Sequence, residues 1–420
     1  MSAFKAPTGT HDLLPPESSR AEACVARFAT LARRGGFGLL NSPMFEDAEV
    51  FRRSSGESSE VVSKEMYEFE DKAGRHLALR PEGTASVVRA FIEHRPQVPW
   101  KTWYLSPIFR YERPQAGRYR QHHQLGVEVI GTEDPDVDVE VIVLGHDYLS
   151  ALGLTRFSLG VNSLGDDACM PAYRLALVMY LESHASELCD EHRTRFRENP
   201  LRVLDCKKPE CVRVRQRAPR FSDRWCAPCR QHFARVTEGL DAGGIAWHQD
   251  DFLVRGLDYY TRTTFEFAAE SLDAAQNVVV GGGRYDKLSA MLGGPDVGGI
   301  GFGSGLERVL LACEAEGALG DVFVTPDVFV VDVVGGRRAR DVTRQLRSAG
   351  YVAERAYDDR SMKAQLRLAD RSEARLAAIF GPDEERDGTV TLRVLRDDDA
   401  GKQETVGLDT LEDAISEWLA

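Results

Sequence analysis

The first part of the chain mixes helical spacing of apolar residues with the alternation typical of strands. Residues 18–36 carry apolar side chains at helical spacing and end on two glycines, which predicts a helix with a glycine C-cap. Residues 37–47, FGLLNSPMFED, predict a strand that is interrupted at Pro43. Residues 76–94 predict a strand, a turn at PEG and a helix that begins near Thr84.

Strand patterns dominate two further regions. TWYLSPIFRYERP and YRQHHQLGVEVIG flank a loop rich in proline and glycine, and they predict a long hairpin. After residue 245 strand patterns return, and GGIGFGSGLERVLLACEAEG predicts a glycine-rich strand that feeds an apolar helix. From Pro326 onward strands and helices alternate, which predicts a small α/β domain with a largely parallel sheet.

Residues 170–240 differ in character, because their pattern is helical and their charge is basic. Between Pro171 and Leu240 there are 14 lysines and arginines against nine aspartates and glutamates, inside a chain whose net charge is −13. This contrast predicts an inserted helical module.

Composition sets limits on location and on partners. The length of 420 residues allows two or three domains, and the 43% hydrophobic and 28% charged content is typical of globular proteins. No apolar run reaches the length of a membrane span, and the N-terminus lacks the apolar segment of a secretory signal, so we expect a cytoplasmic protein without a membrane partner. The negative net charge argues against a general polyanion binder, so any contact with nucleic acid must come from local basic patches.

The hairpin carries the most informative polar residues. In strand alternation Arg110 and Glu112 share one face, as do Gln124, Gly126 and Glu128 on the returning arm. An arginine fork suits a phosphate, a carboxylate can accept from an amine, and Gly126 leaves room for a ligand. The alternative is an exposed hairpin whose charges are only solvated.

The glycines of residues 281–283 and 298–305 admit two interpretations. GGIGFGSG lacks the full dinucleotide-binding fingerprint, and the acidic residue expected after it is not evident. Close backbone packing beneath a bound nucleotide is therefore the better interpretation.

Eight cysteines are present, and in a cytosolic chain they are expected to be reduced. Cys206 and Cys211 form a C-x4-C pair, Cys226 and Cys229 form a C-x2-C pair, and 14 residues separate the two pairs. This spacing is compatible with one tetrahedral zinc site. Reduced cysteines in a helical insert are the leading alternative.

These segments together resemble the histidyl-tRNA synthetases, which belong to the class II aminoacyl-tRNA synthetases. RYERP followed by GRYRQHHQLGVE resembles motif 2, GSGLERVLL resembles motif 3, and GFGLLNSPMFED resembles the dimer-forming motif 1. LVRGLDYYTRTTFEF and VVVGGGRYDKL resemble the two peptides peculiar to the histidyl enzymes, and RPEGT resembles a third contact to the amino acid. The resemblance extends over nearly the whole chain.

The resemblance implies an α+β catalytic domain, residues 1–325, built on a mixed, mainly antiparallel sheet. It also implies a helical insertion domain at 170–240, an α/β anticodon-binding domain at 326–420, and a homodimer. The implied enzyme is a histidine–tRNA ligase that forms histidyl-adenylate from L-histidine and ATP and then charges tRNA(His).

The resemblance assigns catalytic and ATP-binding residues. Arg110 would hold the α-phosphate, Arg308 the γ-phosphate side, and Glu112 the adenine amine, with Arg118 also at the nucleotide. Arg255 would stand at the α-phosphate where related enzymes place a further metal ion, which makes Arg110 and Arg255 the catalytic pair. ATP is expected with Mg²⁺.

A histidine pocket must satisfy an ammonium, a carboxylate and an imidazole. Because neutral imidazole has one donor and one acceptor nitrogen, it needs an acceptor and a donor, and Glu128 with Tyr260 resembles that pair. The residues that the resemblance assigns to histidine are Glu82, Gly83, Thr84, Gln124, Glu128, Tyr259, Tyr260 and Tyr285.

Contacts to tRNA are implied in three places. Arg113 and Gln115 in the motif 2 loop are candidates for the acceptor end. Arg213, Arg215 and Arg217 of the basic insert would clamp the acceptor stem through its phosphates. The C-terminal domain would read anticodon bases.

Two other functions share much of this pattern. A paralogous regulatory subunit that binds histidine and controls an ATP phosphoribosyltransferase would typically lack the RGLDYY peptide and the anticodon domain, and both are intact here. A synthetase for another amino acid of the subclass would have no use for a donor–acceptor pair across a ring.

Overall fold

The computed structural model describes residues 4–56, 61–273, 276–320, 322, 324–396 and 398–419. The chain divides into two compact units after Val322. Within the described ranges, no helix is both long enough and apolar enough to cross a bilayer.

The first unit combines eleven α-helices, one π-helical turn (Val61–Glu65) and eleven strands among its described residues. The helices are α1 (Glu17–Arg34), α2 (Ala48–Ser55), α3 (Thr84–His94), α4 (Pro135–Ala151), α5 (Met170–Ser183), α6 (Asp190–Arg195), α7 (Arg202–Asp205), α8 (Pro209–Arg215), α9 (Ala227–Ala242), α10 (Leu288–Met291) and α11 (Leu306–Glu316). The strands are β1 (Gly38–Leu39), β2 (Phe45–Asp47), β3 (Tyr67–Glu70), β4 (His76–Leu79), β5 (Trp100–Phe109), β6 (Gln121–Ile130), β7 (Phe157–Ser163), β8 (His248–Gln249), β9 (Thr261–Ala269), β10 (Val278–Arg284) and β11 (Gly299–Gly305).

An eight-stranded sheet organises this unit, in the order β1-β5-β6-β11-β10-β9-β7-β8. The outer pairs β1–β5 and β7–β8 are parallel, and all the pairs between them are antiparallel. The mixed, mainly antiparallel sheet predicted from the sequence is therefore confirmed. A smaller antiparallel sheet has the order β2-β4-β3.

The predicted hairpin is β5 and β6, whose register runs from Trp100 opposite Ile130 to Phe109 opposite Gln121. Its loop begins at residue 110, so the expectation that strand alternation places Arg110 and Glu112 on one face is wrong. The loop is instead held by its own backbone, since the amide of Arg110 donates to the carbonyl of Arg120 at 2.9 Å.

Strand alternation gives the sheet two different faces. The core face of β6 carries Leu125, Val127 and Val129, which pack in the main apolar cluster with residues of α1, α4 and α11. Phe265 and Phe267 of β9 belong to the same cluster. The opposite face, here called the site face, receives the alternate residues.

Residues 170–240 are helical, as predicted, and contain α5 to α8, most of α9 and two 3-10 turns, Ala185–Glu187 and Phe221–Arg224. Their buried side chains, among them Leu177, Phe196 and Val214, join the main apolar cluster. The indole of Trp225 donates to the carbonyl of Ser163 at 2.8 Å and so ties the insertion to the end of β7.

The second unit contains α12 (Arg337–Ser348), α13 (Met362–Arg371), α14 (Pro382–Asp387) and α15 (Leu411–Leu419) with five strands, β12 (Val328–Asp332), β13 (Ala353–Arg355), β14 (Leu376–Phe380), β15 (Thr389–Val394) and β16 (Gln403–Gly407). The strand order is β13-β12-β14-β15-β16.

The α/β character of the second unit is confirmed, but the expectation of a largely parallel sheet is wrong. β12 pairs in parallel with β13 and β14, whereas β14–β15 and β15–β16 are antiparallel. A parallel connection needs a dozen or more residues. Only residues 381–388 link β14 to β15, so the chain must return antiparallel.

Candidate active site

Glycines on the site face make room for the candidate ligand-binding side chains. A Cβ atom on any of five glycines in β10 and β11 would fall closer than 3 Å to one of those side chains. Close backbone approach of this kind is open only to glycine. The pairs are Gly281 with Arg255, Gly283 with Tyr260, Gly299 with Tyr285, Gly301 with Glu128 and Gly303 with Gln124.

Tyr104 of β5 fills the space that the sequence assigned to a ligand. A Cβ on Gly126 would overlap the Tyr104 ring, and a Cβ on Gly83 would meet the same ring at 2.6 Å. The expectation that Gly126 leaves room for a ligand is therefore wrong, because the room is taken by the tyrosine. A tyrosine inside an apolar strand is typical of core, which is why the sequence did not single out Tyr104.

Glu128 lies at the centre of the histidine-binding candidates and is fully buried. It accepts hydrogen bonds from Tyr285 Oη at 2.6 Å, Thr84 Oγ1 at 2.7 Å and Tyr104 Oη at 3.4 Å. Burial raises the pKa of Glu128 to about 8, against the hydrogen bonds from Tyr285 and Thr84, which lower it. A carboxyl group in this position changes charge close to neutral pH.

Glu82 caps helix α3 from within the pocket. Its carboxylate accepts from the backbone amides of Thr84 at 2.7 Å and Ala85 at 2.8 Å, and Tyr259 Oη lies 3.5 Å away. Burial raises the pKa of Glu82, while the two backbone hydrogen bonds lower it. A carboxylate has about four lone-pair sites, so Glu82 can accept these two backbone hydrogen bonds and still accept from a ligand ammonium.

The two tyrosines of the RGLDYY peptide, Tyr259 and Tyr260, lie side by side among the histidine-binding candidates. The Tyr259 ring centroid lies 4.7 Å from that of Tyr260 and 5.9 Å from that of Tyr285. The guanidinium of Arg255 lies 6.0 Å from the Tyr260 ring. Tyr285, which the resemblance assigns to histidine, donates to Glu128.

Arg255 forms an ion pair with Glu266 of β9. Although burial lowers the pKa of Arg255, the carboxylate of Glu266 raises it overall. Glu266 lies on the site face, since it alternates with the core residues Phe265 and Phe267. The sequence did not single out Glu266, although that alternation was a signal that could have found it.

The motif 2 and motif 3 arginines converge near this pair. Arg110 Nε donates to the carbonyl of Pro81 at 2.7 Å, and Glu112 forms ion pairs with Arg118 and, at 3.9 Å, with Arg110. Burial lowers the pKa of Arg308, and the positive charges of Arg118 and Arg110 lower it further. Three cations that face one another in this way are suited to a polyanion.

The two histidines of the motif 2 arm point in different directions. His123 is held by Glu307 of α11, whose carboxylate lies 2.9 Å from His123 Nδ1 and accepts from its backbone amide. His122 occupies the alternate position, and burial lowers its pKa to about 4, with the charge of Arg110 as the next cause. His122 alternates with the core residues of β6 and so lies on the site face beside Arg110, where it is neutral.

A buried network of ion pairs holds the arginine of the GGGRYD peptide, Arg284. Arg284 and Asp138 are both fully buried and form an ion pair, and His232 Nε2 lies 2.7 Å from Asp138 Oδ2. Burial tends to raise the pKa of Asp138, but His232 and Arg284 outweigh that and lower it. The network joins β10, α4 and α9, three segments whose contact no local sequence pattern indicates.

The candidate tRNA contacts divide into exposed and engaged residues. Arg113 and Gln115 are exposed in the hairpin loop, and Arg213 is exposed on α8. Arg215 instead donates to the carbonyl of Leu204 at 2.7 Å, and Arg217 pairs with Glu187 at 2.8 Å. Arg215 is thus turned toward its own domain, and of the three arginines Arg213 presents its side chain to solvent without such a contact among the described residues.

The four cysteines that the sequence grouped into one candidate zinc site lie in two separate clusters. Cys206 and Cys211 come together with Cys189 and His192, whereas Cys226 and Cys229 come together with Asp166 and Cys169. The prediction of a single zinc site is therefore wrong, because the fold gives each pair of cysteines a different set of neighbours.

The mainly antiparallel sheet, with one helix-covered face and one face lined by arginines and buried carboxylates, has the fold of a class II aminoacyl-tRNA synthetase. The family model described as histidyl-tRNA synthetase matches residues 9–309, and the one described as anticodon binding domain matches residues 327–418. The chain belongs to the histidyl-tRNA synthetase family, the aminoacyl-tRNA synthetases that charge tRNA(His).

Individual relatives agree over the full length. The histidine–tRNA ligase of Halothermothrix orenii is 46% identical over 399 residues, 93% of this chain and 94% of that protein. The histidine–tRNA ligase of Saccharopolyspora erythraea is 45% identical over 425 residues, 100% of each. The apo crystal structure of S. aureus histidyl-tRNA synthetase has a TM-score of 0.82 and 35% identity, covering 98% of this chain and 100% of that one.

The ligase function predicted from the sequence is confirmed by these relatives, and the regulatory-subunit alternative is not supported. The substrates of such an enzyme are histidine, ATP and tRNA.

Proposed function

We propose that the site face of β6, β9, β10 and β11 is where this chain joins histidine to ATP and then passes histidine to tRNA(His). The observation that carries the proposal is the buried Glu128, ringed by hydroxyl donors, on the same glycine-lined face as an arginine cluster. One half suits an imidazole and an ammonium, and the other suits a triphosphate.

Histidine would bind between Glu128 and the tyrosines. Ionised Glu128 would accept the imidazole N–H, and Tyr260 would donate to the other ring nitrogen. Glu82 and Gln124, with Thr84, would receive the ammonium. A buried polar group left unpaired costs about 1–3 kcal/mol, so an isostere without both imidazole nitrogens would bind far more weakly.

ATP would lie over the arginines. Arg110 and Arg255 would stabilise the α-phosphate as the histidine carboxylate attacks it and pyrophosphate leaves. Arg308 would hold the γ-phosphate side, with Glu112 and Arg118 at the adenine end. Fixed cations of this kind act by positioning and by electrostatic stabilisation of the developing charge. Mg²⁺ would enter as part of the ATP substrate.

The histidyl group would then pass to the 3′ end of tRNA. The exposed Arg113 and Gln115 are the proposed contacts to the acceptor end, and Arg213 is a proposed phosphate contact on the insertion. The second unit is the proposed reader of anticodon bases. The cytoplasmic location stays a prediction.

A homodimer through the segment that resembles motif 1 is also proposed. Leu39, Met44, Phe45 and Phe69 expose 63%, 52%, 50% and 42% of their surface, which is unusual for neighbouring large apolar residues. The rings of Phe45 and Phe69 are 6.1 Å apart, so they form one patch. A second copy of the chain is the proposed cover, to be checked by sedimentation of the unaltered chain beside Phe45→Glu.

The reaction is tested by histidine-dependent pyrophosphate exchange and by tRNA charging. Arg255→Ala should lower the exchange rate by roughly 10²–10³, as expected for the loss of one fixed donor to developing charge. Arg34→Ala, which removes an exposed arginine at the end of α1, is the matched control and should leave exchange unchanged. Exchange at the full rate in Arg255→Ala would remove Arg255 from the proposed site.

A further inference from the structure

Two groups of four metal-binding side chains lie in the insertion and at its root. The first, here called the outer cluster, contains Cys189, His192, Cys206 and Cys211; the second, here called the root cluster, contains Asp166, Cys169, Cys226 and Cys229. In each cluster, one ligand atom from every residue lies within 4.8 Å of the others.

The distances within the outer cluster are close to those of a tetrahedral zinc site. With zinc–sulfur bonds of about 2.3 Å and zinc–nitrogen bonds of about 2.0–2.1 Å, ligand atoms stand roughly 3.5–3.8 Å apart. His192 Nδ1 lies 3.2 Å from Cys189 Sγ and 3.8 Å from Cys211 Sγ. The thiols of Cys189 and Cys211 are buried, so the cluster is not an accidental meeting of surface groups.

The root cluster has equally suitable spacing. Cys169 Sγ and Cys229 Sγ are 3.8 Å apart. Asp166 Oδ1 lies 3.5 Å from Cys169 Sγ and 3.6 Å from Cys226 Sγ. A carboxylate oxygen at about 2.0–2.2 Å completes a three-sulfur zinc site in the same way as an imidazole nitrogen.

We propose that this chain binds two structural zinc ions, one in each cluster. Three thiolates with one nitrogen or oxygen, all converging on one point, favour zinc over the oxygen-seeking ions. Four protein ligands leave no position for a substrate, so each site is structural and not catalytic.

The local fold gives each ion something to stabilise. Helices α6, α7 and α8 have six, four and seven residues, too few to be stable alone. The outer zinc would join the starts of α6 and α8 to the end of α7. Binding free energy at such a site becomes folding free energy of the segments that it joins.

The root zinc would fix the insertion to the sheet. Asp166 Oδ2 lies 3.7 Å from Arg262 Nη2, and Arg262 exchanges backbone hydrogen bonds with Leu164 and Gly165, at 2.8 Å and 2.7 Å. Arg262 has a φ of +47°, a conformation that needs support from its surroundings. It follows Tyr260 by two residues, so the root cluster braces the strand that leaves the RGLDYY peptide.

Metal content of the full chain tests the proposal directly. Purified without chelators from cells grown with added zinc, the unaltered chain should contain two zinc ions per chain by mass spectrometry. Cys211→Ser and Cys229→Ser should each reduce this to one, and the double variant to none. Cys313→Ala is the matched control, because Cys313 is a buried thiol outside both clusters and its loss should leave two.

A second measurement does not depend on any variant. Cobalt added to the zinc-stripped chain should give the intense near-ultraviolet absorption of thiolate-to-cobalt charge transfer, saturating at two cobalt ions. A zinc content near zero or near one, cobalt without thiolate absorption, or an intact mass that shows disulfides in place of these thiols would each overturn the proposal.

Discussion

The two faces of the eight-stranded sheet are built from the same strands on opposite principles. On the core face of β11, Ile300 and Phe302 are buried among aromatic and aliphatic side chains. On the site face of that strand, Gly299, Gly301 and Gly303 carry no side chain and lie beneath tyrosine, carboxylate and amide groups. One face stabilises the fold, and the other gives up packing so that polar groups can approach the backbone.

Because the two faces are built differently, substitutions on the core face and on the site face should have different consequences. Loss of volume on the core face should lower the free energy of unfolding and leave the chemistry of the folded molecules unchanged. Added volume on the site face should displace ligand-binding groups and change substrate affinity first. The predictions for Phe302 and Gly301 test that separation, and those for Glu266 and Glu128 test single charges on the site face.

The largest effect is expected from Phe302→Ala on the core face. Phe302 is buried and makes edge contacts with Phe28 and Phe265, at centroid distances of 6.1 and 6.4 Å. Truncation should lower the free energy of unfolding by about 3–5 kcal/mol. Denaturant unfolding measures it, and Phe302→Leu, which keeps most of the apolar volume, should lose much less. A large rise in the KM for histidine in the folded Phe302→Ala protein would break the separation of the faces.

The next effect is expected from Gly301→Ala on the site face. The new methyl group would overlap the Glu128 carboxylate and displace it from its hydroxyl partners, and it would also press on the backbone carbonyl of Val127. Loss of about 1–3 kcal/mol of hydrogen bonding corresponds to a rise of roughly 5–150-fold in the Kd for histidine, measured by calorimetry.

Gly305→Ala is the control for that prediction. Gly305 ends the same strand, has a φ of −75°, and its added Cβ would meet nothing within 4 Å. Histidine affinity should therefore be unchanged in Gly305→Ala. Equal effects of the two substitutions would mean that strand flexibility, and not contact with Glu128, decides affinity.

A smaller effect is expected from Glu266→Gln, which removes the charge opposite Arg255. Arg255 keeps its own charge but loses the ion pair that orients it, so pyrophosphate exchange should slow by about tenfold, or 1.4 kcal/mol. Glu270→Gln, an exposed glutamate just beyond β9, is the control and should exchange at the normal rate. A Glu266→Gln protein as active as this control would show that Arg255 is held by other groups.

The sequence predicted the features that local periodicity determines. The hairpin, the helix at Thr84 and the shared face of Gln124 and Glu128 all follow from spacing along one or two segments. The alternation of Phe265 and Phe267 along β9 likewise places both on the core face.

The missed features depend on which segments meet across the fold. Tyr104 reaches Glu128 because β5 and β6 pair in a particular register, and the apolar pattern of β5 does not reveal it. Cys189 joins Cys206 and Asp166 joins Cys229 through helix packing, so spacing along the chain suggested one cysteine cluster where the fold makes two. Loop residues such as Arg110 and Glu112 follow no periodicity at all.

The smallest expected effect concerns the charge of Glu128. Its pKa is raised to about 8, so in the free protein the carboxyl group is mostly protonated at pH 7. A protonated carboxyl group must place its own O–H and cannot accept the imidazole N–H in addition to the three hydroxyl groups around it, whereas the ionised form can. Apparent affinity scales with the competent fraction, which rises about fivefold between pH 7 and pH 8. The Kd for histidine, measured by calorimetry, should therefore fall by about fivefold over that interval. In Glu128→Gln, which cannot ionise, the Kd should be weaker and nearly flat, and an equally steep pH dependence in that variant would assign the titration to another group.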